Sequence, residues 1–251
     1  MFTLVNSPDV KRPFAREEHT EDGHYYRTEK GELYPSITTI FKIVEPFEKT
    51  EGYEHFVNWA MNTQNLGRSE AIEWCKKYSK QSTDVGTAMH TLAELYLENE
   101  GDENVTNEYY CEEIQESQEF AKDPLELFDV LKPWLDKNIS KVYGTEHKLY
   151  SDEMKLAGTV DLVAEIDGEK CIVDFKNSRN IKTKKKCEES HYFEQIVAYG
   201  KCWEFCTGEK IETGIILVVS WKDMKVRPFK VKLADYESKL WDWILRYESL
   251  I

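Results

Sequence analysis

Two short segments carry residue types that could act on a phosphate. They are Gly158-Thr159-Val160-Asp161-Leu162-Val163-Ala164 and Cys171-Ile172-Val173-Asp174-Phe175-Lys176. Both are β-rich, and the Asp167-Gly168 pair between them is a hairpin signal. In a strand, residues i and i+2 share a face, so Asp174 and Lys176 point with Ile172, while Asp161 opposes Val160 and Leu162. Two carboxylates and an ammonium at the ends of adjacent strands suit a hard divalent cation, which takes oxygen ligands and keeps waters for phosphate. The lysine would orient an attacking water and offset charge on pentacoordinate phosphorus. Asp-x-Lys alone is equally an ordinary ion pair at a strand end, so its surroundings decide.

The elements around it supply further candidates. Thr83-Asp84 caps a predicted amphipathic helix with Val85, Ala88, Leu92, Leu95 and Tyr96 on one face, and this helix carries His90 and, one turn on, Glu94. Glu188 to Cys206 reads as a helix on which Gln195 and Tyr199 lie one turn apart, both able to face the strand pair. Glu146 sits on the strand preceding Asp161, either behind the metal ligands or exposed. A basic run follows the active strand: Arg179, Lys182, Lys184, Lys185 and Lys186. It reads as a loop whose charge could guide a nucleic-acid strand.

The remaining elements follow from periodicity. Ser36 caps a short helix, helical spacing dominates from about Glu51 to Lys80, and Glu98 to Asn107 reads as a loop. Tyr109 to Lys141 reads as two helices split near Pro124. Strands are expected at Lys141–Ser151, Leu156–Ile166, Glu169–Phe175, Thr213–Trp221 and Lys225–Leu233, with a last helix from Asp235. The order is helices first, then β-β-β-α-β-β-α. Tyr25, Tyr26 and Tyr34 read as packing residues ahead of base-stacking ones.

Composition sets limits on function. Charged residues make up 32% and hydrophobic residues 41% of 251 positions, a profile that folds. The longest apolar stretch is far too short to cross a bilayer. The polar, Glu-containing start matches neither a secretory nor a mitochondrial leader, so a cytoplasmic location is expected. Cys75, Cys111, Cys171, Cys187, Cys202 and Cys206 lack a disulfide framework and read as buried thiols rather than cluster ligands. The net charge of −14 weakens non-specific attraction to nucleic acid. It leaves the basic segment as a local exception.

Four of these elements, taken together and in order, resemble the PD-(D/E)xK nuclease superfamily in its RecB-like branch. They are Gly86-Thr87-Ala88-Met89-His90, Gly158-Thr159-Val160-Asp161, Asp174-Phe175-Lys176 and Gln195-Ile196-Val197-Ala198-Tyr199. With Tyr34-Pro35-Ser36-Ile37-Thr38-Thr39 the sequence is also similar to mitochondrial genome maintenance exonucleases and their phage relatives. The resemblance implies an α/β fold: a restriction-endonuclease-like mixed sheet flanked by helices, with an N-terminal helical part (1–140) covering the cleft of a core at 141–251, all one domain.

It also implies His90, Asp161, Asp174 and the Phe175 carbonyl as metal ligands, with Lys176 serving the water and the transition state. Gln195 and Tyr199 would position phosphate or water, and Ser36 and Thr38 would meet the nucleic acid. The expected cofactor is Mg2+ or Mn2+, the imidazole favouring Mn2+. The expected partner is DNA, single-stranded rather than duplex, acted on by a monomer in a bacterial cell or phage-infected host. Endonucleases of the same superfamily share these residues, and a binding module that has lost catalysis would keep the fold.

Overall fold

The β-rich C-terminal half folds as its alternation requires, into one mixed sheet. The computed structural model describes residues 2–5, 15–16, 23–28, 30–110, 114 and 121–251. The six-stranded sheet has the order β1-β5-β6-β7-β8-β9, with β1 Thr3–Leu4, β5 Ile139–Ser151, β6 Leu156–Ile166, β7 Glu169–Ser178, β8 Thr213–Ser220 and β9 Lys225–Lys232. Strand β1 pairs parallel with β5, and β7 with β8; the other pairs are antiparallel. Asp167 and Gly168 turn the β6–β7 hairpin with φ of 55° and 78°, the left-handed values that a tight hairpin turn demands.

Helices cover both faces. On one face lie α3 Arg68–Glu98 and α5 Pro124–Asn138, together with the short α4 Glu103–Tyr109; Met89, Leu92, Leu127 and Leu131 pack there against Leu162, Val173, Phe175 and Leu217. On the other lie α1 Ile37–Val44, α7 Tyr192–Thr207 and α8 Glu237–Glu248, where Ile196, Trp203, Leu240 and Ile244 meet Val160, Ile172, Ile216 and Val218. Burying such side chains contributes about 1.5–3 kcal/mol each, which fixes helices to sheet. A small antiparallel sheet, β2 Ala15–Arg16, β3 Tyr25–Arg27 and β4 Leu33–Pro35, precedes α1. It is tied to the main sheet by a bridge from Ser36 to Ala157. Tyr26 and Tyr34 are buried there, as packing residues.

The structure corrects several sequence expectations. Helix α3 runs unbroken for 31 residues through the expected cap at Thr83-Asp84. The Ser82 and Thr83 hydroxyls turn back onto the carbonyls of Tyr78 and Ser79 at 3.3 and 3.4 Å, and Asp84 pairs with Lys80 one turn earlier at 2.7 Å. The polar run thus lies within a continuous helix, its hydroxyls turned back on their own backbone. Part of the expected loop at 98–107 is α4, capped by Asp102. Strand β7 continues to Ser178 because β8 pairs with it to Ser220. Lys184–Glu189 forms a short helix, α6, capped by Thr183; the basic run is therefore not all loop, and α7 begins only at Tyr192. The first of the two helices expected within 109–141 falls largely outside the described residues.

Cys75, Cys171, Cys187, Cys202 and Cys206 are buried free thiols; Cys111 lies outside the described residues. Among those residues no helix is long and apolar enough to cross a membrane.

Candidate active site

The site lies where two hydrogen-bonded strands part. Strand β6 pairs with β7 from Ile166↔Glu169 up to Leu162↔Val173, while β7 goes on pairing with β8 through Ser178. Asp161 is the first β6 residue past the split. Its Oδ2 accepts the Phe175 amide at 2.7 Å, replacing the main-chain acceptor that β6 no longer provides.

On the other side of β6, the pairs His147↔Val160 and Thr145↔Leu162 place Glu146 opposite Asp161. Glu146 has φ 44°, and the strict alternation read from the sequence fails here. Val160 belongs to the core under α7, whereas Leu162 belongs to the core under α3. On β5, likewise, His147 stacks on Trp203 of α7, while the Thr145 hydroxyl donates to Glu98 of α3 at 2.7 Å. Both strands change faces at Glu146 and Asp161, so these acids sit at the rim of the split.

Helix α3 brings His90 to the same point. Its Nδ1 is 3.5 Å from Asp161 Oδ2, and its ring stands edge-on to Phe175. Ligand atoms of His90, Glu146 and Asp161 lie within 4.8 Å of one another. Gly86, one turn earlier, allows this approach: a Cβ there would come within 2.3 Å of Asn177 Nδ2, a side chain at the end of β7 that donates to the Ser82 carbonyl at 3.1 Å.

Asp174 and Lys176 share a face of β7, as expected. Lys176 Nζ is 2.7 Å from Asp174 Oδ2 and 5.2 Å from the centre of the Tyr192 ring. Helix α7 supplies Gln195, whose Nε2 donates to the Tyr199 hydroxyl at 2.7 Å. Gly158 makes room for the Tyr199 ring, since a Cβ there would meet its Cε1 at 2.8 Å.

The electrostatics are those of a desolvated anionic centre. Burial pushes Asp161 and Asp174 up to about 6, against the opposing pull of Lys176. Burial, with the charge of Lys176, holds His90 down at about 4, leaving a neutral imidazole able to ligate. Burial lowers Lys176, but Asp174 and Asp161 outweigh it and raise it overall. Burial also lifts Tyr199 well above its ordinary value, followed by the charges of Asp174 and Asp161, so its phenol stays a donor.

The residues fit a hard divalent cation. Asp174 is only 1% exposed and its Oδ1 has no hydrogen-bond donor, a costly state for a carboxylate unless a cation compensates it. One imidazole and two carboxylates in mutual reach form a donor set suited to Mn2+ or Mg2+.

Two hollows meet at this point. One, of about 310 Å3, is lined by Tyr26, Ser36, Glu146, Asp161 and Tyr199. The other, of about 610 Å3, is lined by Phe41, Ser82, Lys176, Asn177 and Tyr192. Thr38, Thr87, His90 and Gln195 line both and form the waist between them.

The other expected contacts distribute as follows. Ser36 is buried and serves as the cap of α1, accepting from Thr39 N at 3.1 Å, whereas Thr38 is exposed at the waist. Arg179 is drawn into the joint between α3 and the sheet, with its guanidinium 3.8 Å from Tyr78 and 4.3 Å from Trp221. Lys182 reaches Ser190 at 3.2 Å. Lys184, Lys185 and Lys186 are exposed on α6, the last two beside Glu189 at 3.8 and 2.8 Å. Glu94 lines the first hollow and is raised by burial and by Glu98 and Asp161. Sequence reasoning missed Tyr192; its place three residues before Gln195 on α7 was the available signal.

A strand pair that splits at an acid, a following Asp-x-Lys and a backing helix with Gln195 and Tyr199 agree with the family comparison. The family model of the PD-(D/E)XK nuclease superfamily matches residues 63–208, and the chain belongs to that superfamily. Membership implies a nuclease that uses a divalent metal, with DNA as the substrate it points to. Among solved structures, the "Crystal structure of SSO0001" is similar at 17% identity over 64% of this chain and 74% of that one, with a TM-score of 0.31. No curated protein matches the chain.

Proposed function

We propose that the chain is a Mg2+- or Mn2+-dependent deoxyribonuclease of the RecB-like branch, acting as an exonuclease on single-stranded DNA in replication, repair or recombination. The observation that carries this reading is the gathering of His90, Glu146 and Asp161 within 4.8 Å, beside an Asp174–Lys176 pair at 2.7 Å.

His90, Glu146 and Asp161 would hold the cation, with Asp174 and the Phe175 carbonyl completing its surroundings. When bound, it supplies Lewis-acid stabilisation of the phosphoryl oxygens and acidifies a water. The protein's own groups do the rest. Lys176 holds a fixed ammonium at the cleft, where it offsets negative charge as phosphorus becomes pentacoordinate and orients the water that attacks it. Tyr199 accepts from Gln195, so its own proton is free for a phosphate oxygen. Asp161 is pinned by the Phe175 amide, which fixes one carboxylate oxygen in the position a ligand needs.

Thr38, Thr87, His90 and Gln195 border both hollows, so a strand lying along the two passes the metal-ligand cluster. Labelled linear and closed circular single-stranded DNA, incubated with Mn2+ or Mg2+, separate the alternatives. Loss of the linear strand with survival of the circle is expected. Cutting of the circle would make the enzyme an endonuclease.

A further inference from the structure

Helix α3 carries more than His90. At 1.5 Å per residue it is about 46 Å long, and its N-terminal half packs with α2, Glu51–Gln64, as a helical hairpin. The i, i+4 row Trp74, Tyr78, Ser82, Gly86, His90 and Glu94 forms one oblique ridge along α3. Its lower members face the metal-ligand cluster and its upper members are aromatic.

The aromatic members continue onto α2 as a ladder. Trp74 and Tyr78 stack at 4.7 Å and 24°. Trp59 of α2 lies 5.5 Å from Trp74 and 5.7 Å from Tyr78, and it stacks on Phe56 at 5.9 Å and 15°. Trp59 is 42% exposed. The apolar core of this hairpin, Val57, Ala60, Ala71 and Cys75, is already closed without it.

The ladder runs into the catalytic cleft. The Arg179 guanidinium lies 3.8 Å from the Tyr78 ring and donates to the Ser82 hydroxyl at 2.8 Å, and Ser82 lines the hollow that holds Lys176. Tyr78 lies twelve residues before His90, about 18 Å along the helix.

We propose that Trp59 and Trp74, braced from behind by Tyr78 and Arg179, form a base-stacking track for a single-stranded polynucleotide whose scissile phosphate lies at the Asp174–Lys176 site. The proposal rests on the nuclease reading and names its substrate path. The exposed Trp59 ring, next to Trp74 at 5.5 Å, offers a stacking surface that any unpaired base can use, with no sequence preference. A duplex hides its base faces within its own stack, so the track selects unpaired strand. Arg179, held between Tyr78 and Trp221, fixes the inner end of the track against the sheet.

The test is fluorescence anisotropy of labelled oligothymidylate in EDTA, with strands of about four and about twenty nucleotides, on the intact chain and on Trp59→Ala, Trp59→Leu and Trp59→Phe. Cleavage of both lengths in Mn2+ is measured in parallel. The track predicts that Trp59→Ala and Trp59→Leu weaken binding of the long strand about tenfold, that Trp59→Phe restores most of it, and that binding and cleavage of the short strand are unchanged. Equal binding of the long strand by all four proteins would overturn it, as would a loss that Leu repairs as well as Phe or one that extends to the short strand. Trp59-dependent binding with no cleavage would instead sink the nuclease reading while leaving the track.

Discussion

Asp161 Oδ2 accepts the Phe175 amide at 2.7 Å and stands 3.5 Å from His90 Nδ1. One carboxylate oxygen therefore both closes the gap in the β6–β7 ladder and faces the imidazole. Its two roles separate in variants. Asp161→Asn keeps a side-chain acceptor for the amide, whereas Asp161→Ala leaves a buried N–H unpaired. Asp161→Ala should be less stable by about 1–3 kcal/mol in urea unfolding, with cation affinity lost in both. Equal stabilities would show that the amide has another acceptor.

Desolvation of Asp174 gives a stability effect with a defined sign. A carboxyl raised from its ordinary value near 4 to about 6 contributes stability that is present below pH 4 and lost as pH rises through 6. In EDTA at pH 8, Asp174→Asn should be more stable than the native chain by about 1–3 kcal/mol, and this advantage should shrink as pH falls below 6 and vanish below about 4. The comparison is made between variants because His90, held at about 4, titrates with the opposite sign: its contribution is present above pH 6.5 and is lost as pH falls. Saturating Mn2+ at pH 8 should reverse the order of stability.

Glu146 combines a left-handed backbone, φ 44°, with a place among the candidate ligands. Calorimetric titration should show Glu146→Gln binding Mn2+ about 10- to 100-fold more weakly. Glu146→Gly relieves the left-handed conformation and should be about 1 kcal/mol more stable than Glu146→Ala. Unchanged Mn2+ affinity in Glu146→Gln would remove it from the ligand set.

Gly158 is required by the ring above it. Gly158→Ala brings a methyl to 2.8 Å from Tyr199 Cε1, a buried ring with little room to move. The expected cost is about 1–3 kcal/mol, read as a lower melting temperature, with Tyr199→Leu in the same chain restoring most of it. A chain that tolerates Gly158→Ala alone would show that Tyr199 packs loosely.

The paired strands, their hairpin and the helix with Gln195 and Tyr199 were legible because each is a local pattern: period-two apolar residues, Asp167-Gly168, and one-turn spacing. His90 was legible through its segment, although its helix was not. A Ser-Thr-Asp run reads as a cap, and only the packed α3 shows these side chains turned back on their own helix. The change of faces at Glu146 and Asp161 leaves no trace in hydrophobicity, because the neighbours of Asp161, Val160 and Leu162, are both apolar and those of Glu146, Thr145 and His147, are both polar. Glu146 was therefore read as an outer acid. Arg179 was read with the lysines after it as a phosphate contact, but its partners, Tyr78 and Trp221, are distant in sequence and brought together only by the fold.

The proposed hydrolytic centre of this metal-dependent nuclease is the Asp174–Lys176 pair. It is tested most directly by the cleavage rate of end-labelled single-stranded DNA in Mn2+, for the native chain with and without EDTA and for Lys176→Ala. Removing a positioned charge at the transition state should slow cutting at least about 100-fold, leaving the melting temperature in Mn2+ close to native, and EDTA should abolish cutting. Cleavage that persists at the native rate in Lys176→Ala, or in EDTA, would contradict the account.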